Sequence, residues 1–88
     1  MTSYRVEFTA PAAKEIRKLD PQVRRRIIAG ITALEEEPRP NGVPKLTGFD
    51  NAWRIRIGDH RVLYEVVDDV VLVTVFRVAH RRDVYGDL

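Results

Sequence analysis

The sequence predicts a two-layer α+β fold with the element order β-α-α-β-β-β, in which an N-terminal helical hairpin packs on a mainly antiparallel four-stranded sheet. Two observations predict this class. The first half of the chain holds one short alternating segment and two helix-start patterns, and the second half holds three strand-like segments in a row. Because the chain has only 88 residues, we expect a single domain over residues 1–88.

The first half predicts one strand and two helices. Residues 4–8 alternate apolar and charged side chains, which is typical of a half-buried strand. Each helix begins at a capping residue followed by a proline, which needs no amide hydrogen in the first helical turn. Thr9 and Pro11 begin the first helix, and Asp20 and Pro21 begin the second. Apolar residues then recur at helical spacing: Ala12, Ile16 and Leu19 in the first helix, and Val23, Ile27, Ile28, Ile31 and Leu34 in the second.

The second half predicts a three-stranded meander. Pro38 ends the second helix, and a loop rich in Pro, Asn and Gly follows. Three strands are then expected, at residues 53–57, 60–67 and 70–78, with two-residue turns at 58–59 and 68–69. The last of these strands is almost wholly apolar, which favours a central position in the sheet, covered on both faces.

The composition excludes several kinds of site. No cysteine is present, so disulfides, thiolate metal ligands and cysteine nucleophiles are excluded. Two histidines are too few for a typical structural zinc site, and no glycine-rich cofactor motif occurs, so we expect neither a metal nor a cofactor. The sequence has no apolar run long enough to span a membrane and no signal-peptide pattern, which predicts a cytoplasmic protein.

Arginine supplies most of the positive charge, with 12 Arg against 3 Lys, although the net charge is only +2. A two-residue turn at 58–59 places Arg54, Arg56 and Arg61 on one sheet face and their apolar neighbours on the helix-facing side. Guanidinium groups match phosphates bidentately, whereas like charges facing each other across strands are destabilising. The cluster therefore favours a polyanionic ligand, and the alternative is an ordinary solvated sheet face. Residues 24–26, all Arg, are expected to form a solvated helix face.

The last strand leads into a group of chemically useful side chains. His80 supplies an imidazole that titrates near neutral pH, and Tyr85 supplies a phenol. Arg81 and Arg82 add two guanidiniums. If this segment folds back over the end of the sheet, it meets the three arginines; otherwise His80 is a surface histidine and Tyr85 seals the sheet end. Phe76, expected on the arginine side, is a core residue, a base-stacking platform or part of an apolar groove.

These segments together resemble the RelE-type toxins of bacterial type II toxin–antitoxin systems, in the RelE/ParE superfamily. The resemblance runs over nearly the whole chain, including residues 45–48 and 53–57. Its most specific parts are residues 61–66 and 80–85. Each piece alone is weak, and the order and spacing of the pieces carry the resemblance.

The resemblance implies a RelE-like fold and the activity of an mRNA interferase. Such a toxin is a metal-independent endoribonuclease that cleaves mRNA in the ribosomal A site and so inhibits translation and growth. The ribose 2′-hydroxyl attacks the adjacent phosphorus and leaves a 2′,3′-cyclic phosphate. The expected catalytic residues are Arg54, Arg61, His80, Arg81 and Tyr85, and the expected RNA-binding residues are Lys45, Arg56 and Arg82.

One departure from the family pattern affects the choice of base. Well-known members carry lysines on the strand where this chain has Arg54 and Arg56, and a guanidinium cannot act as a base at neutral pH. His80 is therefore the preferred proton-transfer residue, and Tyr85 is the alternative. Arg54, Arg61 and Arg81 are expected to stabilise the transition-state charge.

The resemblance also implies partners. A small cognate antitoxin is expected to bind the toxin, and the complex is expected to bind operator DNA through the antitoxin. The ribosome and mRNA are the other expected partners, with mRNA as the substrate, and no membrane partner is expected. Two alternatives stay open: a ParE-like poison of DNA gyrase, and a catalytically silent corepressor that only binds the antitoxin.

Overall fold

The structure, a computed structural model, describes residues 3–83 and confirms the predicted fold class. Two helices pack on a four-stranded sheet. The strands are β1 (Arg5–Phe8), β2 (Ala52–Ile57), β3 (His60–Val67) and β4 (Leu72–His80), and the helices are α1 (Ala10–Arg17) and α2 (Pro21–Thr32). Short 3₁₀ turns follow α2 at Ala33–Glu35 and β3 at Asp68–Val70. None of the described helices is long and apolar enough to cross a membrane.

The sheet has the strand order β1-β4-β3-β2. β1 pairs with β4 in parallel, and the other two pairs are antiparallel, so the sheet is mainly antiparallel as predicted. The apolar strand β4 lies between β1 and β3, which confirms its central position. β4 continues to His80, whereas β1 pairs only with Leu72–Val75, so the last residues of β4 have no strand on that side.

The helix starts are confirmed, with Thr9 and Asp20 at the N-cap positions of α1 and α2, although the Asp20 side chain makes no capping hydrogen bond. The Thr9 hydroxyl accepts the Ala12 amide at 3.3 Å. Arg24 differs from the prediction of a solvated face, because its guanidinium donates to the main-chain carbonyls that end α1. These are the carbonyls of Ile16 at 3.3 Å, Arg17 at 3.2 Å and Leu19 at 2.9 Å. The prediction that Ile28 lies on the buried face is wrong, since this side chain is 38% exposed.

The sheet carries a core on each face. The helix-side core is the larger, and it contains most of the apolar side chains that helical spacing and strand alternation placed between the helices and the sheet. Its buried members are Ala12, Ile16, Ile27, Ile31, Leu34, Val62, Tyr64, Val66, Val73, Val75 and Val78, with Trp53, Ile55 and Ile57 packed against them. The opposite face holds a small cluster of Leu46, Ala52, Leu63 and Ala79, against which Phe76 packs. Phe76 thus serves a core, the first of its predicted roles.

The two predicted turns have different outcomes. The turn at 58–59 is confirmed, because Ile57 pairs with His60 and Gly58 adopts a positive φ of 61°. The two-residue turn at 68–69 is wrong, because Val67 pairs with Leu72 and four residues connect the strands. The longer turn is held by Asp68, whose carboxylate accepts hydrogen bonds from Tyr4 and Arg39.

The longer turn leaves each side chain of β4 on the sheet face that a two-residue turn predicts, because it adds two residues rather than one. A bulge between Leu63 and Tyr64 then shifts the register of β3 against β4. Tyr64 pairs with Val75 and Leu63 with Arg77, so Phe76 is the extra residue of the bulge.

Candidate functional site

Four arginines share the sheet face opposite the helices, at the end of the sheet where β2 turns into β3. Arg56 pairs directly with Arg61, and Arg61 pairs with Ala79 on β4. Arg81 lies two residues beyond Ala79, and its amide donates to the Asp59 carbonyl at 2.8 Å, which extends the ladder to the 58–59 turn. Because side chains alternate along a strand, Arg81 falls on the same face as Arg61. We call Arg54, Arg56, Arg61 and Arg81 the arginine face.

The arginine face concentrates positive charge. Burial lowers the pKa of Arg61 below its ordinary value, and the cations of Arg56, Arg54 and Arg81 lower it further, against a small opposing effect of Asp59. Among residues 3–83, the ion pairs all lie elsewhere: Arg5 with Glu7, Arg39 with Asp68, and Arg77 with Glu15. Four guanidiniums without carboxylate partners in the described chain form a surface suited to bind several phosphates.

A groove of about 470 Å³ lies beside the arginine face. Its second wall is the segment from Pro40 to Pro44, which we call the proline loop. The Arg54 amide donates to the Pro44 carbonyl at 3.1 Å and so ties this loop to the first residues of β2. The groove is lined by Pro40, Asn41, Gly42, Val43, Pro44, Arg54, Ile55, Arg56 and Arg61.

Lys45 lies just outside this groove. It forms a bridge with Trp53, and its ammonium lies 6.0 Å from the centroid of the Trp53 ring. Trp53 packs against the helix-side core. The structure therefore directs Lys45 toward the indole ring rather than toward the arginine face.

His80 lies on the other side of the sheet from the arginine face. It pairs with His60, and the two rings meet edge to face with centroids 5.5 Å apart. Ile57, which pairs with His60, packs on the helix-side core, so both imidazoles lie on the helix side. They line a cleft of about 480 Å³, which we call the histidine cleft. It is lined by Glu15, Lys18, Leu19, His60, Arg77, Val78, Ala79, His80 and Asp83.

The remaining predicted residues follow β4. Arg82 is exposed, and its amide donates to Nδ1 of His80 at 3.3 Å. Tyr85 lies outside the described residues. The structure thus brings together Arg54, Arg56, Arg61 and Arg81, and separates His80 and Lys45 from them.

The histidine cleft contains two residues that the sequence analysis missed, His60 and Glu15. Burial, and then the charge of His80, lower the pKa of His60, while Asp59 acts in the opposite direction. Glu15 accepts the Val78 amide at 2.6 Å and lies 3.7 Å from the Arg77 guanidinium. The carboxylate thereby satisfies the edge of β4 that β1 leaves uncovered.

The sequence holds a partial indication of the position of His60 and none of the position of Glu15. The position of His60 directly after the 58–59 turn predicts that it faces the same side as Ile57, but only the pairing of β3 with β4 brings it to His80. The contact between Glu15 and Val78 spans 63 positions and has no local pattern. In the part of the chain that the structure describes, no group of three or more His, Asp or Glu residues is placed to hold a metal ion.

Comparison with known proteins gives a consistent result. The family model described as "ParE toxin of type II toxin-antitoxin system, parDE" matches residues 6–85. The chain is 31% identical over 83 residues to Toxin RelG of Mycobacterium tuberculosis, covering 93% of this chain and 95% of that protein. It is 32% identical over 89 aligned positions to the mRNA interferase toxin RelE of Escherichia coli, covering 97% and 93%. The toxin in the solved RelBE toxin–antitoxin complex of Escherichia coli matches with a TM-score of 0.80 at 31% identity, covering 89% of this chain and 96% of that one.

Proposed function

The chain belongs to the RelE/ParE family of toxins of type II toxin–antitoxin systems. We propose that it acts as an mRNA endoribonuclease that cleaves message in the ribosomal A site and thereby inhibits translation in the cytoplasm. The arginine face carries this proposal, because a phosphodiester substrate is the ligand that relieves the repulsion among its four guanidiniums. A relative that is 32% identical is named an mRNA interferase, which supports the same activity.

The proposed reaction is an attack by the ribose 2′-hydroxyl on the adjacent phosphorus. The 2′-oxygen loses its proton and forms a bond to phosphorus, while the bond to the 5′-oxygen breaks and that oxygen gains a proton. The products are a 2′,3′-cyclic phosphate and a 5′-hydroxyl. Negative charge develops on the non-bridging oxygens, where preorganised cations lower the barrier without a resident metal.

We assign the stabilisation of this negative charge in the transition state to Arg54, Arg61 and Arg81. Arg56 lies two residues beyond Arg54 on β2, roughly 7 Å away along the strand, and is proposed to hold a neighbouring phosphate. Arg82 and Lys45 lie apart from the groove and are proposed to contact RNA on either side of the cleaved bond.

Proton transfer has two candidates, His80 and Tyr85. The His80 ring lies in the histidine cleft, on the opposite face from the arginines. In addition, the Arg82 amide donates to Nδ1 of His80 at 3.3 Å, so one ring nitrogen is already engaged by the neighbouring main chain. We therefore assign proton transfer to Tyr85.

The partner of the toxin is proposed to be a small cognate antitoxin. The related toxin RelE of Escherichia coli has been solved in a complex described as intact RelBE toxin–antitoxin. We further propose that residues 1–88 form one toxin domain, and that the toxin–antitoxin complex binds operator DNA through the antitoxin.

A poison of DNA gyrase is the second candidate function, because the matching family model is described as a ParE toxin. The arginine face is compatible with either toxin, since both act on complexes that contain nucleic acid. A silent corepressor is the third possibility, and it requires no cleavage at all.

The test is induction of the toxin in cells, followed by primer extension on cellular messages. Cleavage stops within coding regions are expected for the native chain, and growth arrest should follow. Arg61→Ala should abolish both, whereas Arg25→Ala removes the same charge from an exposed position on α2 and should preserve them. A DNA-damage response without stops would replace the proposal by the gyrase poison, and the absence of any phenotype would replace it by the corepressor.

A further inference from the structure

The proline loop is fixed at both ends by a single indole ring. Arg39 precedes the loop and places its guanidinium 5.2 Å from the Trp53 ring centroid, and Lys45 follows the loop at 6.0 Å. Arg39 is itself held by Asp68 at 2.9 Å, and Asp68 also accepts the Tyr4 hydroxyl at 2.7 Å. Two cations that contact the same ring hold the points where the loop leaves and rejoins the fold. The wall of the groove is thus a defined surface.

The tip of this loop is a tight turn that presents Asn41. The Val43 amide donates to the Pro40 carbonyl at 3.2 Å, and Gly42 has a φ of +83°, as the third position of a type II turn requires. Asn41 occupies the second position of the turn and is exposed. Across residues 3–83, its side chain makes no hydrogen bond, so the carboxamide is available to a ligand.

The chemistry of Asn41 differs from that of every other group along the groove. The lining otherwise consists of guanidiniums and of proline, glycine, valine and isoleucine residues. Guanidiniums that hold phosphates fix the position of a nucleic acid but carry no information on its sequence. A carboxamide has a donor and an acceptor side by side, which matches the edge of adenine at N6 and N7.

We infer that Asn41 is a specificity residue that reads an adenine base while the arginine face holds the neighbouring phosphates. This inference rests on the proposed function, since it presumes that the groove binds RNA. The proline loop is the part that sets the distance between the base-reading amide and the phosphate-binding cations.

The test is equilibrium binding of fluorescein-labelled pentanucleotides of adenine, cytosine or uracil, each made with 2′-O-methyl riboses so that none is cut. The native chain should bind the adenine pentamer more tightly than the other two, by about 5- to 150-fold for a bidentate contact. Asn41→Ala should reduce this ratio to about twofold or less. Asn41→Asp should favour cytosine over adenine, because a carboxylate accepts from the cytosine amino group.

The matched control is Asn51→Ala, which removes the same side chain from an exposed position outside the groove and should keep the adenine preference. An unchanged ratio in Asn41→Ala, or equal binding of all three pentamers by the native chain, would overturn the inference. Cleavage is scored separately on programmed ribosomes. Adenine preference without cleavage keeps the inference and rejects the proposed nuclease.

Discussion

The arginine face and the histidine cleft lie on the two sides of one sheet end, and they differ in whether their guanidiniums have carboxylate partners. Arg61 and His60 are adjacent in sequence, as are Arg81 and His80, yet alternation sends each arginine to one side and each histidine to the other. In the cleft, Arg77 has Glu15 at 3.7 Å. On the arginine face, no guanidinium forms an ion pair with a carboxylate of the described chain.

This difference separates charged residues that are paired within the fold from those that are proposed to bind a ligand. Glu15 binds both the Arg77 guanidinium and the Val78 amide, so these two groups of the cleft are satisfied within the chain. On the arginine face, burial and then repulsion from the neighbouring cations lower the pKa of Arg61. The absence of ion pairs from the arginine face within the described chain, rather than the number of arginines, is the feature on which its proposed role in binding RNA rests.

The largest expected effect comes from removing two cations of the arginine face. The double variant Arg61→Ala/Arg81→Ala should lower the rate of cleavage on programmed ribosomes by about 10⁴-fold or more, since a single preorganised donor contributes about 10²–10³-fold. Arg77→Ala removes a paired guanidinium from the histidine cleft and should leave the rate within about threefold. Equal losses in both variants would mean that the two sides do not differ in function.

Proton transfer gives the next largest effect. Tyr85→Phe should lower the rate by about 10²-fold or more, as expected for loss of a positioned acid or base. His80→Gln should keep both the rate and its profile between pH 5 and 9, because the His80 ring lies across the sheet from the arginines. A His80→Gln variant with a much lower rate and a flattened pH profile would return proton transfer to His80.

The stability of the fold, in contrast to the cleavage rate, should depend on the histidine cleft. Glu15→Ala should lower the free energy of unfolding in urea by about 1–2 kcal/mol, since a hydrogen bond to a charged group contributes about 1.5–3 kcal/mol and this side chain is one-third exposed. Glu36→Ala, at an exposed site, serves as the control and should change little. Cleavage by the folded Glu15→Ala protein should stay near the native rate. If Glu15→Ala lost cleavage but kept native stability, the histidine cleft would serve catalysis and not the fold.

The smallest effect is a pH dependence of stability from His60. Burial and His80 lower its folded-state pKa below the ordinary value of 6.5, so the unfolded chain binds a proton more readily. The contribution of His60 to the free energy of unfolding is therefore complete above pH 6.5. It is lost as the pH falls from 6.5 through the lowered pKa of the folded state. The other charged groups of the cleft are Glu15, Lys18, Arg77 and Asp83. Urea midpoints between pH 7.5 and 5 should fall less steeply in His60→Gln than in the native chain, and identical slopes would contradict this assignment.

Local patterns were sufficient to predict most of the fold and three members of the arginine face. Capping residues marked both helix starts, and the two-residue turn at 58–59 fixed the register that brings Arg56 opposite Arg61. Alternation from Val78 also contained the information that His80 faces the helix side. The alternative in which the last segment meets the three arginines therefore holds for Arg81 and not for His80.

Other features depend on contacts between distant residues and have no local pattern. The four-residue turn after β3 is held by Asp68 through Tyr4 and Arg39, which lie 64 and 29 positions away. Likewise, Glu15 reaches Val78 only because β4 extends beyond β1. Such contacts follow from the assembled sheet, so a sequence read in short windows does not reveal them.

The proposed nuclease activity is tested most directly by adding the purified toxin to ribosomes programmed with a defined message and identifying the new RNA ends. We expect cleavage within the A-site codon, with a 2′,3′-cyclic phosphate on the upstream fragment and a 5′-hydroxyl on the downstream one, and no cleavage by Arg61→Ala. An intact message with the native toxin, or equal cleavage by folded Arg61→Ala, would contradict it.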